Sequence, residues 1–340
     1  MKIILLSILF LGYPFGILFG QIGGDRIYRF LDLTNSAKVA ALGGTQIAFT
    51  ENDLDLAFYN PSLLSDSMRN QLSINYASYI AGIGVGYAAF APNIQGRNAF
   101  AAGIHYVNYG TFQGASETGQ LTGTFQAAEY SLNLYYSRTI TSQLRAGINL
   151  KPVFSSFETY NSAGLAADLG ITFLTKDKLS AISVVVRNIG SQITTYTQNG
   201  IHENLPWDLQ LGFSKRFAHA PIRFLATANN LNVWKLNYVN RSGDPLLPAM
   251  QSENFTSLLM RHFILGAEIT PEQHVTLRIG YNYQRQKELA ISDHPGLVGF
   301  SAGIGIKIAR FNINYGIASF HLAATAHYFS LATNLSQIIH

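Results

Sequence analysis

The chain has no cysteine, little charge and, beyond its first twenty residues, no long apolar run. Each absence excludes something. Without cysteine there is no disulfide framework, no thiolate nucleophile and no cysteine-ligated metal, and the redox compartment stays open. Asp, Glu, Lys and Arg make up 12% of the 340 residues, against roughly 25% in an average soluble domain. The formal charge is +4 and no block of five like charges occurs, so the electrostatic footprint of a nucleic-acid binder is missing. Downstream of the N-terminus no segment reaches the roughly 18 consecutive apolar residues of a helical span.

What is present begins with MKIILLSILFLGYPFGILFGQ. One lysine precedes an apolar run, and Gly20-Gln21 offers a small-residue cleavage point, so residues 1–20 read as a secretory signal peptide. The rival reading, an uncleaved anchor, is disfavoured because Gly12, Pro14 and Gly16 interrupt the run and no stop-transfer flank follows.

From Gln71 the pattern has a period of two. In the stretch Gly123–Thr139, Tyr130, Leu132 and Leu134 alternate with Glu129, Ser131 and Asn133; in Gly164–Thr175, Leu169, Ile171 and Phe173 oppose Asp168 and Thr172. About fourteen such runs of roughly ten or more residues each follow one another, the length a tilted strand needs to cross a bilayer. The polar side repeatedly carries charge: Glu129, Arg145, Asp168, Asp208, Arg223, Glu268, Arg278 and Lys307. A dry core could not hold these ions unpaired, whereas a hydrated or plugged lumen could. The apolar side then faces lipid, with the 18 Tyr and 22 Phe supplying interfacial girdles. An open sheet would leave edges unsatisfied in hydrocarbon, so the sheet must close. Connections alternate between short turns and often longer loops, the parity of an outer-membrane barrel. The expected fold is therefore all-β: a closed antiparallel transmembrane barrel of about fourteen strands.

One stretch departs from this pattern. Asn35–Leu64 mixes small residues, Gly43-Gly44, the acids Glu51, Asp53 and Asp55, and an Asn60-Pro61 stop. Ser36 could cap a short helix through Leu42. The piece is too small to fold alone and reads as a plug. The expected organisation is signal peptide 1–20, N-terminal arm and plug 21–70, barrel 71–340, with Ser36, Gly43, Gly44, Asp53, Asn60 and Pro61 shaping the plug.

The order Ser36, Ala40-Ala41-Leu42-Gly43-Gly44, Asp53, Phe58, Asn60-Pro61 and Leu64 resembles the N-terminal segment of the FadL-like outer-membrane proteins, in which a plug precedes fourteen strands; Ser62 stands where their usual Ala would be. Within that superfamily, Arg29–Leu33 and the run Asn52–Pro61 are similar to the PorV/PorQ group of the type IX secretion system, on its PorQ side. The resemblance implies a non-enzymatic protein of the cell outer membrane, without cofactor or metal. It would belong to the attachment complex, holding a PorZ-like surface protein alongside PorU- and PorV-like components while cargo is processed and attached. Its other contact would be outer-membrane lipid, with no nucleic acid.

Read from the residues themselves, the partner surface is the connection Asn232–Ser257, with Trp234, Tyr238, Arg241, Leu246, Leu247 and Met250 as candidates. Aromatics, Arg and Met are enriched at interfaces. Gly190–Leu205 is its expected neighbour. His105 and His327 are placed on the lumen side by strand parity, and no nucleophile motif surrounds either, so they read as polar lumen side chains. His202-Glu203 lacks a second His at helical spacing. Gly82, Gly84 and Gly86 are expected to mark strand bending or close approach of the plug. A second function keeps the fold: a FadL-like transporter of hydrophobic small molecules, which demands a continuous apolar path. Val185, Leu225, Ile264 and Phe329 are the inward apolar candidates for it.

Overall fold

In a computed structural model, the described residues are 26–94, 96–198, 200–234, 254–272, 274–290, 296–321 and 324–337. Residues 1–20, read as a signal peptide, lie outside them.

Fourteen antiparallel strands form a closed barrel in which each strand pairs with its neighbours in sequence. They are β1 (Gln71–Ser78), β2 (Gly84–Phe90), β3 (Asn98–Ala115), β4 (Leu121–Thr139), β5 (Leu144–Phe157), β6 (Tyr160–Leu174) and β7 (Ser180–Thr194). The second half comprises β8 (Asp208–Arg216), β9 (Ile222–Ala228), β10 (Phe263–Glu272), β11 (Val275–Asn282), β12 (Phe300–Ile308), β13 (Phe311–His321) and β14 (Ala324–Asn334). The ring closes where β1 meets β14, from Gln71 opposite Asn334 to Ser78 opposite His327.

Alternation fixes the two faces. On β6, Ile171 is 54% exposed while Thr172 is 1% exposed. The exposed positions around the ring include Leu, Ile, Val, Phe or Tyr on every strand. Leaving one such side chain in water forgoes about 1.5–3 kcal/mol, so a belt of this extent is stable only against lipid. No helix among the described residues is long and apolar enough to cross a membrane; the crossing is made by strands.

The turns at one end are short, from Thr139/Leu144 to Ile308/Phe311, and both ends of the barrel chain lie there. The longer connections β7–β8, β9–β10 and β11–β12 mark the other as the outer end.

Several expectations need local correction. The period of two predicts a strand over Val275–Gln286, but the eleventh strand stops at Asn282, and a helix, Tyr283–Leu289, follows, capped by the Asn282 side chain on the Arg285 amide. The run QRQKEL consists of good helix formers with no β-branched residue, which explains the switch. Strand β14 has the opposite parity to the one expected: Tyr328 and Ser330 face inward, while His327 and Phe329 face outward. A one-residue slip turns a whole strand over, and small residues on both faces of ATAHYFSLAT hide the choice. Gly84 and Gly86 also point outward, and a side chain at Gly86 would meet nothing within 4 Å; the close approaches are made elsewhere.

Candidate functional site

Residues from Tyr28 to Met68 lie inside the ring of strands. They hold to the wall on many sides: Tyr28 Oη to Ser162 Oγ on β6 (2.5 Å), the Ala37 amide to Ser330 Oγ on β14 (2.8 Å), Ser301 Oγ on β12 to Ala41 O (3.1 Å) and Ser214 Oγ on β8 to Ala48 O (2.6 Å). Leu42, Ile47, Phe49, Leu54 and Leu56 are fully buried, each adding about 1.5–3 kcal/mol.

The wall is cut to fit. A Cβ at Gly147 would strike the Pro61 backbone, at Gly170 the Asn60 side chain, at Gly280 the Leu42–Gly43 peptide and at Gly316 the Ala37 carbonyl; at Gly212 it would stand 2.5 Å from Ile47. Glycine at these strand positions lets the backbone of the inner segment lie directly on the sheet.

The residues expected to shape a plug all lie in this segment. Ser36 precedes the helix Ala37–Ala41, but its hydroxyl does not cap it; it donates to Asp55 Oδ2 (3.1 Å). Gly43 and Gly44, with φ of 103° and 105°, end the helix in a conformation L-residues rarely adopt. Asp53 accepts from the Asp55 amide. Asn60 accepts from the Ser62 amide (3.0 Å) and donates to Ile47 O (2.7 Å) and Thr172 Oγ1 (3.0 Å), with Pro61 opening the turn.

Between segment and wall runs a chain of charges. Lys38 Nζ lies 2.5 Å from Asp53 Oδ2 and 2.7 Å from Glu51 Oε2; Glu51 Oε1 meets Arg223 Nη1 at 3.0 Å. Arg223 reaches Glu268 at 3.3 Å, and Arg278 Nε closes on Glu268 Oε2 at 2.8 Å. Three cations face three carboxylates, so the set is neutral. Burial works against the Lys38 ammonium, but Asp53 and Glu51 outweigh it and hold its pKa above the usual lysine value. Burial likewise opposes ionised Glu51, and Lys38 and Arg223 reverse this and hold it low. Asp55, which accepts from Asn75 Nδ2 (2.8 Å) and Ser73 Oγ, is pushed up to about 6 by burial and by the charge of Asp53.

A second buried pair joins Lys151 Nζ and Asp168 Oδ1 at 2.6 Å. Asn188, with φ of 55° at a break in the β6–β7 register, ties this pair to the segment through Asp32 Oδ1 (2.9 Å). Periodicity places these side chains inward; nothing in the sequence says which of them meet.

Among the described residues, a polar cleft of about 340 Å³ opens at the short-turn end, lined by Asp66, Arg69, Asn70 and Asn334 among others. No group of three or more metal-ligating side chains converges there or elsewhere among them.

No protein-family model matches the chain, and no curated protein matches it in sequence. Solved structures do match in fold. The toluene transporter TbuX of Ralstonia pickettii superposes with a TM-score of 0.55 at 16% identity, over 90% of this chain and 99% of that one. The toluene transporter TodX of Pseudomonas putida gives 0.54 at 12% identity, over 88% and 96%. The monoaromatic hydrocarbon channel CymD gives 0.51 at 13% identity, over 88% and 96%. With the closed ring of fourteen strands, this decides the fold. The chain is an outer-membrane barrel of FadL-like fold.

Within this FadL-like barrel, His105 faces inward and is fully buried, stacked on Phe30 (centroids 5.7 Å) and edge-on to Phe58 (5.0 Å). Val185, Leu225 and Ile264 are inward and buried as expected; Phe329 is 51% exposed on the lipid side. Of the partner candidates, Trp234 is exposed at the outer end and stacks on His262 (5.4 Å) beside Phe255 (5.9 Å). Tyr238, Arg241, Leu246, Leu247 and Met250 lie outside the described residues.

A feature of the outer end escaped the sequence reading. Strands β3 and β4 run for 18 and 19 residues, whereas β2, β8 and β9 have 7, 9 and 7. The β3–β7 sheet therefore stands above its neighbours. Its inner face carries Tyr109, Phe157 and Tyr196 in a row (5.7 and 5.8 Å between centroids) and the stacked pair Phe112–Phe125 (5.3 Å). The signal was the exceptional strand length, blurred by Gly110, Gly114 and Gly123.

Proposed function

We propose that this FadL-like barrel works as a non-enzymatic surface anchor of the outer membrane. The observation that carries the reading is the seating of the inner segment, which lies on wall glycines and is tied by the Lys38–Glu51–Arg223–Glu268–Arg278 chain. Displacing the inner segment would break these buried ion pairs, each costing about 3–5 kcal/mol when one partner is lost. The specific setting, type IX attachment with a PorZ-like protein held beside PorU- and PorV-like components, rests on the sequence resemblance at Asn35–Leu64. The structural comparisons lend it no support.

A second reading is transport of hydrophobic small molecules. It is favoured by the solved neighbours, which are toluene transporters and a monoaromatic hydrocarbon channel, and on that ground it stands ahead of type IX attachment. Against it stands the lining: the inward faces of β9–β11 present Arg223, Glu268 and Arg278, not a continuous apolar path.

Two measurements separate the readings. Affinity purification from the native outer membrane should recover a surface protein and sortase-like components if the barrel anchors. A deletion strain should take up labelled toluene as fast as its parent. A lone barrel in the first experiment, with reduced uptake in the second, would remove the anchoring reading and leave transport.

A further inference from the structure

The outer end of the β3–β7 sheet has an open side. Pairing between β2 and β3 ends at Gly84 opposite Asn108, so from Tyr109 to Ala115 the β3 edge facing β2 has no strand beside it among the described residues. The sequence of that edge, YGTFQGA, contains no charge and no proline, two of the devices that stop an edge from pairing with another chain; the register with β4 shifts at Asn108/Gly110 and at Gly114/Ala115, and Gly110–Gly114 between them is regularly paired. A side chain at Gly110 would meet nothing within 4 Å.

The same region has a definite chemistry. Its inner face is aromatic, with Tyr109, Phe112, Phe125, Phe157 and Tyr196 arranged in ring contacts. The turns crowning it carry Glu117 and Glu158, both exposed, while the projecting parts of β3–β7 and the turns between them contain no lysine or arginine. Glu129 lies at its base, accepting from Tyr109 Oη at 2.5 Å. An aromatic face whose own strands and crowning turns carry acid and no Lys or Arg, with Arg26 of the inner segment held off beside Asn204 in the β7–β8 connection, next to an edge without charge or proline, selects for a cationic segment in extended conformation: backbone pairs along the edge, apolar and cationic side chains over the rings, remaining positive charge toward the two glutamates.

We propose that the Tyr109–Ala115 edge of β3 and the aromatic face beside it dock an extended, positively charged segment of a surface protein by strand addition. This rests on the anchoring reading and moves its interface from the Trp234 connection to the opposite side of the mouth.

The test uses the full-length barrel in intact cells. A photoreactive residue is placed at Gln113, and a control is placed at Leu297 in the β11–β12 connection. The proposal expects crosslinks from position 113 to one segment of a surface protein with excess Lys and Arg, and at least a tenfold lower yield in Glu117→Lys/Glu158→Lys. Both glutamates are exposed, so barrel assembly, followed by heat-modifiable mobility, should be unchanged. A crosslinked segment without positive charge, or a yield indifferent to the double reversal, would overturn it. Crosslinks from position 297 alone, with the surface protein still co-purifying, would remove this face while leaving anchoring intact. Failure of any surface protein to co-purify with the unsubstituted barrel would sink the anchoring reading itself.

Discussion

The Lys38 ammonium lies 2.5 Å from Asp53 Oδ2, with both side chains buried between the inner segment and the barrel wall. The two residues are fifteen positions apart and belong to different turns of the same segment, so the pair folds the segment on itself before Glu51 passes the charge contact on to Arg223.

Lys38→Met should therefore leave Asp53 and Glu51 without their shared cation and destabilise the barrel by about 3–5 kcal/mol. The readout is the temperature at which the folded band converts to the unfolded one on gels. Lys38→Met with Asp53→Leu and Glu51→Gln should recover part of the loss, because a buried ion set replaced by apolar groups can be close to neutral.

Gly280→Val places a branched side chain where Leu42 and Gly43 lie on the sheet. The inner segment should fail to seat, making it sensitive to protease and raising conductance in planar bilayers. Gly86→Val, on the lipid side with open space around it, should change neither measurement and shift stability by less than about 0.5 kcal/mol. Equal behaviour of the two variants would refute the seating role of Gly280.

The natural absence of cysteine makes single-cysteine labelling clean. A fluorophore on Ile171→Cys or Phe329→Cys should be quenched by brominated lipid, and one on His327→Cys should respond as a lipid-facing group. Thr172→Cys should resist labelling in the folded barrel. Strong labelling of Thr172→Cys would contradict the inward assignment of that position.

Asp55 gives a pH dependence. Its carboxyl is raised from 3.8 to about 6 by burial and by Asp53, so the folded state favours the protonated form. That contribution is fully present below about pH 4 and is lost as pH rises through about 6, amounting to about 3 kcal/mol with the opposing pull of the donors Ser73 and Asn75 already included. Asp55→Asn should flatten the stability profile between pH 4 and 7 relative to the parent, measured by unfolding in detergent. A parent profile already flat there would mean that these donors stabilise the ionised form.

The period of two was enough to read the sheet. Strands such as β4 and β6 alternate bulky apolar with polar or charged residues, and hydrocarbon on one side leaves the backbone no alternative to closure. It was also enough to set apart Asn35–Leu64, because Gly43-Gly44 and Asn60-Pro61 break any strand pattern. It failed at β14, where Ala324, Ala326 and Ala332 fit either face and His327 was turned the wrong way, and at Tyr283–Leu289, where local helix preference overrode the continuing strand.

Sequence alone thus determined that the chain is a lipid-facing barrel with a compact non-strand segment ahead of it. Both follow from local rules: side-chain period, turn residues and the cost of unpaired backbone in lipid. Only the tertiary structure decided which charges meet. Glu51 and Arg223 lie 172 residues apart in the chain, and the seating of the inner segment against the β9–β11 register brings Lys38, Glu51, Arg223, Glu268 and Arg278 together. It also decided that Gly147, Gly170 and Gly280 receive the inner segment while Gly86 does not, and that the β3–β7 sheet rises above the rim beside an open edge. These depend on which face and which height a residue occupies in a closed ring, quantities that local periodicity leaves undetermined.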